Sequence, residues 1–133
     1  MRDSTAVIID GPNLWAMSKA LDFSVDFKAL KALLTERYAP IKRIYYVSAV
    51  TADAEGTATV RPLIDWLDYN GFTCITKPGK VITSYDGSTR VKGNMDVDIA
   101  VTAMEIADHV ERVVLFTGDG DFAPLIRALQ RKG

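Results

Sequence analysis

Two buried-strand patterns, one near each end of the chain, lead directly into aspartates. Residues 6–9 are apolar and end at Asp10, and residues 113–116 are apolar and are followed by Thr-Gly-Asp-Gly-Asp at 117–121. Apolar runs without alternation are typical of strands covered on both faces. In open α/β sheets, ligands bind at the carboxyl ends of such strands. The acids are therefore expected at a binding edge, where they either share an ion or cap two helices.

The rest of the chain alternates helical and strand patterns. Helical spacing is found at 14–21, 27–34, 58–70, 95–109 and 122–131, and further strand patterns are found at 44–50 and 72–76. The strand before the second pair of acids is predicted over 112–117. The small, polar residues 51–57 are interpreted as a loop. Alternating strands and helices predict one three-layer α/β domain over residues 1–133, with a central parallel sheet.

Residues 77–92 interrupt this alternation and predict a small β-hairpin insertion around an Asp-Gly turn at Asp86. The insertion is basic, since it carries Lys77, Lys80, Arg90 and Lys92. A solvated hairpin is one interpretation. The other is that Arg90 and Lys92 hold substrate phosphates.

Composition restricts the class of protein. The 133 residues carry a net charge of -1, which argues against a tight, sequence-blind binder of polyanions. The single cysteine, Cys74, excludes an internal disulfide, favours a reducing compartment and is expected in the core. We find neither a signal-peptide pattern nor an apolar run long enough to span a membrane. A cytoplasmic location is therefore predicted.

The helix predicted at 95–109 contains an acid on its apolar side. A step of 100° per residue places Asp98, Thr102, Glu105 and His109 on a solvent stripe, and it places Asp96 among alanines on the opposite side. A carboxylate on an apolar face needs a compensating group. Either the helix amino terminus or a metal ion would stabilise Asp96.

Four acids form an all-oxygen set that suits Mg²⁺ or Mn²⁺ and disfavours zinc: Asp10, Asp96, Asp119 and Asp121. Asp119 lies between two glycines, which allow the backbone to approach a ligand closely. Asp121 is also a candidate N-cap of the last helix. The chemistry best matched to carboxylates around hard cations is phosphodiester hydrolysis.

Three segments resemble, in order and spacing, the motifs of one known family. They are Ile-Asp-Gly-Pro-Asn-Leu at 9–14, Lys-Gly-Asn-Met-Asp-Val at 92–97, and Thr-Gly-Asp-Gly-Asp-Phe-Ala-Pro-Leu at 117–125. The family is the LabA-like (DUF88) group of NYN domains, within the PIN-like nuclease superfamily. The resemblance implies an Mg²⁺- or Mn²⁺-dependent endoribonuclease whose catalytic and metal-binding acids are Asp10, Asp96, Asp119 and Asp121. It also implies supporting or substrate-binding roles for Asn13 and Thr117, and a sheet of order 3-2-1-4.

Two features depart from the family pattern. Thr102 stands where relatives often carry Asp, and the chain ends where relatives usually continue into a fifth strand. The fourth strand, 112–117, is then an open edge, so that either a homodimer or a shortened chain is expected. Single-stranded RNA is the predicted substrate, with DNA as an alternative. The competing functions are a non-catalytic RNA- or protein-binding regulatory module and a phosphatase acting on a small substrate.

Overall fold

The computed structural model describes residues 4–22, 24–50, 54–78, 80–83, 85–87, 89–92, 95–118 and 120–132. Within these ranges, the side chains at 50, 54–60, 80–83, 89–92 and 121 are left out of the description. The described residues form strands and α-helices in the following order: β1 (Thr5–Asp10), α1 (Gly11–Ala20), α2 (Phe27–Tyr38), β2 (Ile41–Val50), α3 (Ala54–Tyr69), β3 (Thr73–Pro78), β4 (Lys80–Thr83), β5 (Thr89–Lys92), α4 (Asp96–Ala107), β6 (Arg112–Phe116) and α5 (Ala123–Arg131).

The main sheet is parallel, and its strand order is β3-β2-β1-β6. This confirms the predicted α/β fold and the order 3-2-1-4. Within the register, Ile8 lies between Tyr45 of β2 and Leu115 of β6, and Asp10 lies opposite Val47. Among the described strands, β6 pairs in this sheet with β1 and forms an edge. The homodimer predicted from that edge stays a prediction.

The central strand β1 divides the core into two layers. Val7 and Ile9 pack with α2 and α3, whereas Ile8 packs with α4 and α5. All three side chains are fully buried. This explains why the sequence of β1 is apolar without alternation, since both faces of a central parallel strand are covered.

The start of α3 differs from the prediction. The helix begins at Ala54, so the loop predicted at 51–57 is wrong from residue 54 onward, while residues 51–53 lie outside the described residues. Ala54 and Glu55 are good helix formers, whereas Gly56 and Thr57 are poor ones, so helix propensity alone does not explain this extension of the helix. The predicted end is confirmed, because α3 stops just before Gly71, whose φ is 89°.

The predicted hairpin is present in β4 and β5, but the predicted start at residue 77 was wrong, because residues 77 and 78 belong to β3. Strands β4 and β5 pair antiparallel, with Lys80 opposite Lys92, and Gly87 in the connecting turn has a φ of 84°. A positive φ of this size favours glycine, which is why the Asp-Gly sequence predicts the turn.

The exposed face of α4 is rotated from the predicted one. Val97 is 69% exposed and Val101 is 51% exposed, while Asp98 and Thr102 are half-buried. Of the four residues predicted on the solvent stripe, Glu105 and His109 are exposed as predicted, whereas the prediction was wrong for Asp98 and Thr102. Tertiary packing against α5 and the sheet sets the buried face, and it overrides the stripe derived from polarity alone.

Cys74 is a half-buried free thiol, as expected for a core residue. Its Sγ donates to the Ile64 carbonyl oxygen over 3.7 Å, and burial, with lesser effects of Asp68 and Asp65, raises the thiol pKa to about 11. Among the described helices, none combines the length and apolar character that crossing a membrane requires.

Candidate active site

Asp10 is the last residue of β1 and the N-cap of α1. Its Oδ1 accepts a hydrogen bond from the Asn13 backbone N–H over 3.2 Å, and the residue is 7% exposed. The capping alternative is therefore confirmed for one oxygen of this carboxylate. Because side chains alternate along a strand, Asp10 lies on the same face as Ile8, which is the face covered by α4 and α5.

Two hydrogen bonds connect the carboxyl ends of β1 and β6. The Thr117 hydroxyl donates to Asp10 Oδ2 over 3.0 Å, and the Gly118 N–H donates to Asn13 Oδ1 over 2.7 Å. The structure thus brings together Asp10, Asn13 and Thr117, as the resemblance implies. In these bonds Asn13 and Thr117 position the backbone and the Asp10 carboxylate, and their contact with a substrate stays a prediction.

Gly11 allows α1 to begin immediately after the strand. A Cβ built at this residue would lie 2.7 Å from the Val47 carbonyl oxygen and 2.8 Å from Tyr46 Cζ. Since real Cβ atoms do not approach backbone so closely, any other residue would push α1 away from β2. The sequence gives Gly11 as part of a motif, but the close contact that requires it is visible only in the structure.

Tyr46 lies near Asp10, a proximity that no sequence pattern predicts. It is buried, and burial, followed by the negative charges of Cys74 and Asp10, raises the pKa of its phenol to about 12. The phenol is therefore neutral at physiological pH. Its aromatic character in a strand pattern predicts only a core residue, and the proximity to Asp10 arises from the strand register.

Asp96 is the first residue of α4, directly after the buried Met95. It is half-buried, which agrees with the prediction that it avoids the solvent stripe. Met95 occupies the N-cap position and makes no side-chain capping hydrogen bond. The first-turn position of Asp96 is compatible with both predicted stabilising groups, the helix amino terminus and a metal ion.

The two acids after β6 are only partly described. Asp119 lies outside the described residues. Asp121 lies in a 3₁₀ turn, Gly120–Phe122, and only its backbone is described. Phe122 is the N-cap of α5, so Asp121 is one residue away from the capping position predicted for it. Among the described residues, no group of three His, Cys, Asp or Glu side chains could hold a metal ion. The side chains of Asp119 and Asp121 are not among those described.

The basic residues of the hairpin are placed by backbone alone. Arg90 and Lys92 belong to β5, which approaches β2, but their side chains lie outside the described residues. Lys77 ends up elsewhere, in an ion pair of 2.8 Å between its Nζ and Asp98 Oδ2. This oxygen is shielded from solvent, and the lysine compensates its charge. The pair links the end of β3 to α4.

Comparison with known proteins identifies a family and a similar structure. The NYN domain family model matches residues 4–133. The crystal structure of a protein of unknown function from Vibrio parahaemolyticus has a TM-score of 0.76 and 28% sequence identity, over 98% of this chain and 76% of that one. No curated protein matches the chain. The narrower assignment to the LabA-like group stays a prediction.

Proposed function

We propose that this chain, which belongs to the NYN domain family, is a divalent-metal-dependent ribonuclease that hydrolyses phosphodiester bonds of single-stranded RNA. NYN domains have a PIN-like nuclease fold and are generally nucleases. The finer statement, cleavage of RNA with Mg²⁺ or Mn²⁺, is supported by the acids at the carboxyl edge of the sheet.

The Asp10 carboxylate is the observation that carries the proposal. It is buried at the carboxyl end of the central strand, and two neutral groups, the Thr117 hydroxyl and the Asn13 N–H, hold its two oxygens. These two donors fix the orientation of the carboxylate. A buried, oriented carboxylate at the end of a central strand is the type of ligand that a hard divalent cation prefers.

The donor set is all oxygen, which suits Mg²⁺ or Mn²⁺. We assign Asp10 and Asp119 as principal ligands, Asp96 as a ligand or as the base that orients water, and Asp121 as an outer ligand. When bound, the cation supplies activation of a water molecule and stabilisation of the leaving oxygen. Thr117 keeps Asp10 in one orientation through the 3.0 Å bond, so it acts as a positioning residue.

Arg90 and Lys92 are assigned to substrate phosphates. They lie on the hairpin strand that approaches β2, and β2 is adjacent to the strand that ends at Asp10. Lys77 is the less suitable cation, because it is already paired with Asp98.

The test is cleavage of a single-stranded RNA oligonucleotide in Mn²⁺, Mg²⁺ or EDTA, with the matching DNA oligonucleotide in parallel. Asp10→Asn and Asp119→Asn should each reduce cleavage by about 100-fold or more, since each removes charge from the cation site. The matched control is Asp26→Asn. Asp26 also caps a helix, accepting from the Ala29 N–H over 3.0 Å, but it is exposed at the start of α2. Its variant should cleave as the wild type does.

A different result would identify the competing class. If the wild type binds RNA but cleaves it in neither cation, and Asp10→Asn binds it equally well, the chain is a non-catalytic RNA-binding module. Equal loss of cleavage in Asp10→Asn and Asp26→Asn would show that capping and stability, rather than a cation site, explain the effect of Asp10.

A further inference from the structure

A groove opens beside Asp10, on the other side of the start of α1. It has a volume of about 460 Å³ and lies between α1, the segment leading into α2, β2 and α3. Its wall includes Trp15, Lys19, Asp22, Phe27 and Tyr46. The proposed nuclease chemistry uses none of these side chains.

The groove lies on the sheet face covered by α2 and α3, and it meets the acidic site at the start of α1, where the Asp10 side chain lies on the other face. Tyr46 lines the groove, and its ring contacts the backbone of Gly11, the residue after Asp10. Trp15 is five residues beyond Asp10, a helix rise of about 8 Å.

The chemistry of the wall suits a flat, neutral, hydrogen-bonding group. Trp15 is 56% exposed, and Lys19 Nζ lies 5.3 Å from the centre of its indole ring. The groove carries one cation, Lys19, and one anion, Asp22, so its charge is balanced. A phosphate would be attracted to a net positive wall, whereas a nucleobase needs an aromatic face and polar groups around its edge.

A second groove provides a comparison within the same protein. It is larger, about 550 Å³, and it lies between α2 and α3 with Trp66 in its wall. Trp66 is 41% exposed, similar to Trp15. The residues of this wall belong to the two helices and to Asn70, directly after α3, and none lies at a strand end, so the second groove does not adjoin Asp10.

We propose that the groove beside Asp10 binds a nucleobase of single-stranded RNA, with Trp15 as the stacking platform. The proposal rests on the proposed function, for which it names a base-binding position next to the scissile phosphate. Stacking on an aromatic ring accepts every base, so the groove contributes affinity rather than sequence preference.

The experiment uses the two tryptophans of the chain. In the Trp66→Phe variant, Trp15 is the sole tryptophan, and its fluorescence is titrated with an oligoadenylate RNA in EDTA, where no cleavage occurs. We expect quenching of Trp15 on binding. Trp15→Leu should raise the Kd by about 5- to 150-fold, Trp15→Phe should restore most of the affinity, and Trp66→Leu should bind as the wild type does. Because Trp15 is half exposed, its variants should unfold at the wild-type temperature.

The proposal fails if saturating RNA leaves Trp15 fluorescence unchanged, or if Trp15→Leu binds RNA with the wild-type Kd. Either result leaves the nuclease assignment intact if the wild-type protein cleaves RNA and the Asp10→Asn variant does not. Conversely, quenching of Trp15 together with weakened binding by Trp15→Leu supports the groove even in a protein that cleaves no RNA. The two proposals therefore fail independently.

Discussion

The Asp10→Asn variant distinguishes two roles of this carboxylate, a ligand in a cation site and a purely structural group. The substitution keeps the shape and removes the charge. Both hydrogen bonds can be kept, because the Asn oxygen can accept from the Asn13 N–H and the Thr117 hydroxyl can accept from the new amide. A hydrogen bond to a charged group contributes about 1.5–3 kcal/mol and a neutral one about 0.5–1.5 kcal/mol. Weakening both bonds should therefore lower the free energy of unfolding by about 2 kcal/mol.

Repulsion between acids acts in the opposite direction. If a second carboxylate lies about 6 Å from Asp10, the two charges repel by about 3 kcal/mol at an effective dielectric constant of 20. Neutralising Asp10 relieves this repulsion and offsets the weakened hydrogen bonds. For a converging acidic centre we therefore expect the metal-free Asp10→Asn variant to be as stable as the wild type, or more stable.

The assay is urea unfolding, measured in EDTA and in Mn²⁺. A cation at about 100 times its Kd stabilises the folded state by about 2.7 kcal/mol. The wild type and the control Asp26→Asn should both show this gain, and Asp10→Asn should lose most of it. A loss of about 2 kcal/mol for Asp10→Asn in EDTA, with no gain from Mn²⁺ in the wild type, would refute the reasoning and leave Asp10 as a cap and a brace.

Three further predictions concern the surroundings of Asp10. Thr117→Val should lower cleavage while Thr117→Ser retains it, because only the hydroxyl orients Asp10; equal rates would exclude positioning. Gly11→Ala should cost about 1–3 kcal/mol in urea unfolding, whereas Gly120→Ala, where a Cβ meets nothing within 4 Å, should cost less. The pKa of Tyr46 rises from 10.0 to about 12 on folding. Its contribution to the free energy of unfolding is therefore fully present below pH 10 and is lost as the pH rises through 12. Tyr46→Phe should remove up to about 2.7 kcal/mol of this pH dependence, and an unchanged unfolding profile over that range would contradict the assignment.

The sequence by itself determined the sheet and the location of its acids. The apolar runs at β1 and β6 predict strands covered on both faces, and the aspartates that follow them are placed at the carboxyl edge by chain order alone. Helix capping by Asp26 and the turn at Gly87 were also predictable, since both depend on neighbours within a few residues.

The tertiary structure decided which partners meet at that edge. Thr117 and Asp10 are 107 residues apart in the chain, and their hydrogen bond depends on β1 and β6 being adjacent and in register. The contact of Gly11 with β2 depends in the same way on how the helix leaves the strand. Periodicity describes one element at a time, so it contains no information on these distances.

The same limit explains the errors on the helices. Polarity placed Asp98 on a solvent stripe, but packing rotates it toward the end of β3, where Lys77 compensates its charge. Small residues at the start of α3 carry no periodic signal, although their backbone is helical. The sequence fixes local conformation through propensity and alternation, whereas the buried face of a helix is set by the elements that pack against it.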